Sequence, residues 1–334
     1  MTHRIVFAIA IVASILLPAS AHAQLFRTYL DPTGNDANPC TLAAPCRLLP
    51  AALAAVADGG QVWILDSANY NVAPVNITKS VTILAVPGAI GSLVATAGNA
   101  IDINTAGVKV VLRNLLIGPL PGGGGVDGIH MLAGSALTVE NCVIGNMPNS
   151  SIYVNAPAIV RIMDTTIQGN GDLGVFLRGG SRTTVARSTI GGNGNQGFEL
   201  WGTAGTTTTA DIVDSVVDRN GWGVIGYSTD ATAVVKISVR NSQLAGNINH
   251  GALAQSDAGA LVTLSVSNSI VSNNGAGIAT FGAAARVWAS GNTVSDNASV
   301  GLLNSSGLFE TAGNNSVRNN APNKSGAITA IAQE

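Results

Sequence analysis

Few side chains in this sequence are equipped for acid–base chemistry, and four draw attention: Asp102, His130, Arg178 and Glu199. A carboxylate beside an imidazole orients the ring and raises its basicity, so Asp102 and His130 would make a general acid–base pair if the fold set them side by side. The plain alternative is an exposed histidine next to an aspartate with no task. Arg178 and Glu199 would either join that chemistry or form a surface ion pair of little energetic weight. A second group is aromatic: Tyr153, Phe176, Trp201, Tyr227 and Phe281 belong to a class that makes up only 4% of the chain. If they shared one face, they would form a surface suited to the apolar faces of sugar rings.

Whether these residues meet depends on a repeat. A short phrase recurs from Ile117 to Val317: a polar residue, a small hydroxyl or its substitute, one variable position, then a buried aliphatic. Clear copies are Asp164-Thr165-Thr166-Ile167, Arg187-Ser188-Thr189-Ile190 and Asn268-Ser269-Ile270-Val271. The aliphatic anchors are Ile117, Ile144, Ile167, Ile190, Val217, Leu244, Val271, Val294 and Val317, spaced by 23 or 27 residues. That is a solenoid period. Within one period three short alternating strands are separated by turns, as in 174–198, so each period is one rung of a parallel β-helix. No helical segment or regular leucine pattern supports a leucine-rich repeat. Two further ladders run with the anchors: Asn170, Asn193, Asn220, Asn247, Asn274, Asn297 and Asn320 in a turn, and Gly128, Gly174, Gly197, Gly223, Gly251, Gly277 and Gly301 at the start of the next strand. Stacked asparagines satisfy turn backbone from coil to coil, so they are scaffold.

Superimposing the rungs predicts an outward column of Asp102, His130, Tyr153, Phe176, Glu199, Ile225, Leu253, Ala279 and Leu303. A second column, two residues further along each strand, holds Leu132, Asn155, Arg178, Trp201, Tyr227, Gln255, Phe281 and Ser305. The 27-residue coils carry extra residues near 202–208, 228–233 and 256–260; four is an even number, so they can lengthen two strands without upsetting the alternation, and either way they are expected to build a wall beside Trp201, Tyr227 and Gln255. Pro119 to Gly125 reads as a longer loop on the opposite margin. The expected feature is a shallow groove with an aromatic floor. It would bind a polysaccharide or glycan, lie under covering loops, or serve as an oligomer contact.

The chain begins with a basic pair, His3 and Arg4, an apolar run from Ile5 to Leu17, and the small-residue site Ala21-His22-Ala23. This pattern predicts a signal peptide over 1–23, cleaved after Ala23, and hence a secreted or periplasmic protein. The run is shorter than the roughly 20 residues a membrane anchor needs, and no later stretch would span a bilayer. A formal charge of −2, with only 10% charged residues, gives no electrostatic case for a nucleic-acid or anionic-membrane partner. Cys40 and Cys46 sit close together; in an exported chain they read as a disulfide pinning the entry loop, and the alternative of a metal site finds no histidine or third cysteine nearby. Cys142 occupies the small-hydroxyl column and reads as packing. Leu48 to Val56, with Pro50 near its start and Gly59-Gly60 beyond, is the one convincing helix, placed to cap the first coil. The division expected is 24–60 as an N-terminal cap and 61–334 as β-helix of about 10–11 coils.

The opening Tyr29-Leu30-Asp31-Pro32-Thr33-Gly34, then Pro39-Cys40-Thr41, Pro45-Cys46, helix and Gly59-Gly60-Gln61-Val62, resembles the N-terminal cap of secreted right-handed parallel β-helix proteins of the pectate-lyase-like superfamily. The repeat phrase resembles that group's rungs. The resemblance spans nearly the whole chain after residue 23 and implies an all-β right-handed solenoid. For activity it is broad, since such folds hold lyases, hydrolases, esterases, epimerases and binding proteins. Calcium-dependent lyases of the group would gather several acids on this face. Here Asp102 and Glu199 are predicted about four coils apart, on the order of 19 Å, too far for one calcium with oxygens at roughly 2.3–2.6 Å. That spacing also exceeds the roughly 5–9.5 Å of glycosidase carboxyl pairs. The galacturonan hydrolase motifs are absent, and Asp127-Gly128-Ile129-His130 departs from the Asp-Pro-His-Asp of alginate epimerases. No metal or cofactor is expected. The leading expectation is therefore glycan binding; a polysaccharide lyase or glycosidase, and a self-associating adhesive protein, are the alternatives.

Overall fold

The computed structural model describes residues 24–332; the expected signal peptide lies outside the described residues. The chain winds as a three-sided solenoid of parallel strands, with one sheet of 13 strands and two of 11. Each strand pairs with its equivalents one coil before and one coil after. The side chains facing inward are almost uniformly aliphatic and sealed: Ile144, Ile167, Ile190, Val217, Leu244, Val271 and Val294 are all 0% exposed. Because every strand is half of an inward–outward alternation, a rung needs only a few apolar residues to close the core.

Two sharp bends per coil explain the recurring phrase. At the first, the polar residue adopts the left-handed conformation: Asn141, Asp164, Asp214, Asn241 and Asn268 have φ between 47° and 52°. Asparagine and aspartate tolerate that region best after glycine, which is why they begin the phrase. The next residue stacks. The backbone N–H groups of Thr165, Ser188 and Ser215 each donate at 3.2 Å to the hydroxyl of the equivalent Ser188, Ser215 and Ser242 in the following coil. Cys142 belongs to this column, donating its N–H to Thr165 Oγ1 at 3.4 Å; burial pushes its thiol up to about 11, which suits a packed side chain. The second bend carries the asparagine ladder. Asn170 Nδ2 donates to Asn193 Oδ1 at 2.7 Å, Asn193 to Asn220 at 2.7 Å, and the chain of bonds continues to Asn320.

The helix Leu49–Ala55 lies over the first coil with Leu49, Ala52 and Leu53 buried. Cys40 and Cys46 form the disulfide, and the Asp36 carboxylate accepts the N–H groups of Arg47 and Leu48 at 2.8 and 2.7 Å, which ties this loop to the helix entry. One local expectation changes. Pro119–Gly125 is not a free loop: it belongs to the strand Leu115–Gly125, which pairs with Gly91–Gly98 across a register shift between Ala95 and Ala97. The extra residues of the 27-residue coils lengthen two strands in each. Trp222–Ser228 and Val234–Arg240 have 7 residues each, against 4 in Val175–Arg178 and 5 in Arg182–Ala186. An even insertion keeps the same faces inward.

Candidate functional site

One 11-stranded sheet carries the aromatic residues. Its register pairs Asp102 with His130, His130 with Tyr153, Tyr153 with Phe176, Phe176 with Glu199 and Glu199 with Ile225. Trp201 pairs with Tyr227, Tyr227 with Gln255, and Gln255 with Phe281. The rings touch in sequence. His130 stacks on Tyr153 with centroids 4.6 Å apart, and Tyr153 meets Phe176 edge-on at 5.4 Å. Phe176 then meets Trp201 at 6.2 Å, and Trp201 meets Tyr227 at 4.7 Å. All are half-buried, each supported by its neighbour and by a rigid parallel sheet. The Tyr227 hydroxyl donates to Asp257 Oδ2 at 2.9 Å from the turn of the next coil, fixing the far margin of the strip.

The acid–base pair differs from expectation. Asp102 is beside His130 in register, yet it accepts from Asn99 Nδ2 at 2.7 Å and does not bond the imidazole. The ring instead meets Asp127, whose Oδ2 is 2.8 Å from His130 Nδ1. Asp127 is 1% exposed, and its other oxygen accepts from Asn149 Nδ2 and Ser150 N. A carboxylate held by other donors is a better orienting group than a solvent-facing one, because it cannot swing away. Its signal in the sequence is the i−3 position before His130, at the bend preceding the glycine ladder.

Glu199 also departs from expectation. It is not in a surface ion pair: it is only 5% exposed and has no salt-bridge partner among the described residues. Burial, and then the nearby Asp172, push its carboxyl up to about 7 against a partial pull from Arg178; no hydrogen bond contributes. Arg178 extends over Trp201, with its guanidinium carbon 5.9 Å from the ring centroid, and its Nε is buried without a partner. Gln196 Oε1, on the Glu199 strand, is likewise sealed and unpaired.

The sign of the Glu199 shift gives a stability test. Its folded-state value lies above the ordinary 4.5, so the stabilisation of the protonated form is complete below 4.5 and lost as pH rises through about 7. Glu199→Gln, neutral at every pH, is expected to raise stability at pH 8 by about 1–2 kcal/mol. At pH 4 the change should be near zero; urea midpoints at the two values measure it.

Beyond Glu199 the outward column is covered. Ile225, Leu253 and Ala279 are 6%, 2% and 0% exposed, roofed by Trp222, Tyr227, Phe281 and Leu303. Trp222 stacks on His250 at 5.1 Å, and His250 meets Phe281 at 5.6 Å. These two residues stand just before Gly223 and Gly251, in a third outward column that sequence reasoning missed. Burial lowers His250 to about 4, so this end is uncharged at neutral pH. A hollow of about 360 Å³ lined by Ile248, His250, Phe281 and Leu303 adjoins it. Among the described residues, no group of three His, Cys, Asp or Glu side chains gathers in a way that would hold a metal ion.

Comparison with known proteins agrees with this architecture. A family model described as "Right handed beta helix region" matches residues 99–263. The chain is similar to the crystal structure of pectate lyase Pel9A, with TM-score 0.61 and 14% identity over 89% of this chain and 80% of that one. It is similar to the A-module of mannuronan C-5 epimerase AlgE4 from Azotobacter vinelandii, with TM-score 0.58 and 12% identity over 83% and 91%. It is also similar to the enzymatically active domain of bacteriophage CBA120 tailspike protein 2, with TM-score 0.51 and 12% identity over 84% of this chain and 48% of that one. No curated protein matches the sequence. The chain folds as a right-handed parallel β-helix, and at these identities the likeness to pectate lyase Pel9A is one of fold.

Proposed function

We propose that this protein binds a polysaccharide or cell-surface glycan along the strip from His130 to Tyr227. The observation that carries the reading is the unbroken run of ring contacts His130–Tyr153–Phe176–Trp201–Tyr227 across successive coils. Four strand spacings of about 4.8 Å make this strip roughly 19 Å long, an extended surface and not a single-ring pocket. Sugar rings stack their C–H faces on aromatic rings, while neighbouring polar side chains take the hydroxyls. Rings braced by one another on a sheet lose little conformational freedom on binding. Export follows the same reading: a disulfide persists in an oxidising compartment, where such glycans are met. No helix among the described residues is long and apolar enough to cross a membrane.

A glycan array probed with the protein is expected to give hits that the double substitution Trp201→Ala/Tyr227→Ala abolishes. Truncating two stacked rings should weaken binding by at least about 100-fold, since each anchor is of the size that costs about 2 kcal/mol. Unchanged binding by the double variant would sink the proposal. A dimer that the same variant dissolves, with a blank array, would mark the strip as a self-association surface. New reducing ends or unsaturated products from incubated hits would make the protein an enzyme.

A further inference from the structure

A formal charge of −2 hides a segregation of cations onto one side of the solenoid. Over the strands from Lys109–Arg113 to Ala285–Ser290, the 13-stranded sheet turns Lys109, Arg161, Arg182, Lys236, Arg240 and Arg286 outward, all exposed. None of the six has an ion-pair partner among the described residues. The same strands hold two acids: Glu140 is taken by Arg113 at 2.6 Å, and Asp211 pairs with no cation. At the bordering bend Asp164 is held by Arg187 at 2.7 Å, which leaves Asp214. The other two sheets are balanced. Strands of the aromatic sheet carry Arg178 and Lys324 against Asp102 and Glu199, and those of the third carry Arg318 against Asp218. Ordinary surfaces intersperse the two signs, so six free cations on one face, in a chain with 10% charged residues, call for a partner.

The cations form a row. Arg182 pairs in register with Thr209, Thr209 with Lys236, Lys236 with Thr263 and Thr263 with Arg286. A cation therefore recurs at every second coil, about 9.6 Å apart at the strand spacing. Lys109 stands three coils before Arg182 in the same column, which makes the row roughly 34 Å long. Arg161 and Arg240 stand beside it, two and four residues further along their strands. Cations so spaced cannot converge on one small anion. They match charges that recur along an extended chain, and the rigid sheet holds them in line before that chain arrives.

We propose that this face of the 13-stranded sheet docks a linear anionic polysaccharide whose carboxylates or sulfates recur along the chain. It lies on a different sheet from the aromatic strip and does not rest on the reading of that strip. The spacing of the row is near the length of a disaccharide. Single-stranded nucleic acid is held by stacking aromatic side chains, and these strands carry one, Trp288. An anionic bilayer is held by apolar side chains inserted among the cations, whereas threonines stand between Arg182, Lys236 and Arg286. Each exposed charge contact is weak by itself. Six on one polymer act together, because the first contact keeps the next charge at high local concentration. Salt weakens such binding steeply, since every contact is open to solvent.

Biolayer interferometry on immobilised alginate, dextran sulfate and unmodified dextran tests the proposal. The expected result is binding to alginate, dextran sulfate or both and none to dextran, with at least about a tenfold loss between about 50 mM and about 300 mM NaCl. Arg182→Ser/Lys236→Ser/Arg286→Ser should weaken binding at the lower salt by roughly 10- to 30-fold. Arg219→Ser/Arg318→Ser/Lys324→Ser removes as much charge elsewhere and should change it by less than about twofold. All six side chains are exposed, so both variants should keep the parent's circular dichroism and thermal midpoint. No binding to either polyanion at low salt overturns the proposal. Equal losses in the two triple variants would mark the attraction as one of net charge, and also overturn it. Loss of polyanion binding in Trp201→Ala/Tyr227→Ala but not in the first triple variant would move the polymer to the aromatic strip, overturning this face and leaving glycan binding there standing. Preference for duplex DNA or phosphatidylglycerol vesicles, added as competitors, overturns the choice of partner.

Discussion

Gly277→Ala is expected to destabilise the protein by about 3 kcal/mol or more, the range of severe overpacking. Gly277 is the second residue of the strand Ala276–Phe281 in the aromatic sheet, and a Cβ there would strike the carbonyl oxygen of Gly301 in the next coil. It would also lie 3.1 Å from that carbonyl carbon and 2.8 Å from Val294 Cγ1. None of these is the end of a flexible side chain. Relief would require two coils to separate, breaking the parallel hydrogen bonds on either side. The matching control is Gly124→Ala, where the nearest atoms are Ala97 Cα at 3.8 Å and Cβ at 3.9 Å. That change should leave stability within about 0.5 kcal/mol, or raise it slightly by stiffening the unfolded chain. Thermal midpoints of the two variants side by side provide the measurement. Equal midpoints would show that the glycine ladder tolerates a methyl group and that coil contact there is looser than described.

Asn220→Ala is the second large loss. Asn220 is 0% exposed and sits within the ladder. It accepts from Asn193 N at 3.1 Å and Asn193 Nδ2 at 2.7 Å, and donates to Asn247 Oδ1 at 3.0 Å and to Ile190 O at 3.2 Å. Alanine leaves Asn193 N and Nδ2 buried without this acceptor, each at about 1–3 kcal/mol before relaxation, while Asn247 Oδ1 keeps the backbone N–H of residue 220. A net loss of about 3–5 kcal/mol is expected, since ladder neighbours share the damage. Gln243→Ala, at an exposed strand position, should change stability by less than about 0.5 kcal/mol. Urea midpoints of the three proteins test the contrast. A loss at Asn220 no greater than at Gln243 would mean that the ladder is ornament and the aliphatic core alone holds the coils.

Both expectations concern residues whose roles were readable before any coordinates. A residue that recurs at every rung answers a constraint that recurs at every rung. The asparagines, the glycines, the small hydroxyls and the left-handed Asn or Asp before them are each set by local backbone geometry and by contact with an identical neighbour one coil away. Repetition at 23 or 27 residues also aligned the outward positions, because parallel strands of equal length have little freedom of register. Hence the pairing of Asp102 with His130, and of Trp201 with Tyr227, followed from the rung alignment alone.

What the repeat left open was the direction and partnership of individual polar side chains on the outer face. Asp127 captures His130 because a bend brings the chain back to the ring, a path that strand alternation does not describe. Glu199 is buried because large rings on neighbouring coils close around it, although its position reads as outward. Trp222, stacked on His250, roofs Ile225 and Leu253 from the first residue of its strand, outside the two aligned columns.

The sequence alone thus determined the solenoid, its aliphatic core, its ladders and the face on which the aromatic residues gather. Each is an average over many equivalent rungs, and period and composition report averages well. The tertiary structure alone decided which carboxylate holds the histidine, which one loses its water, and how far the strip extends before it is roofed. Those are outcomes of side-chain packing at single positions, where no second copy of the rung repeats the information.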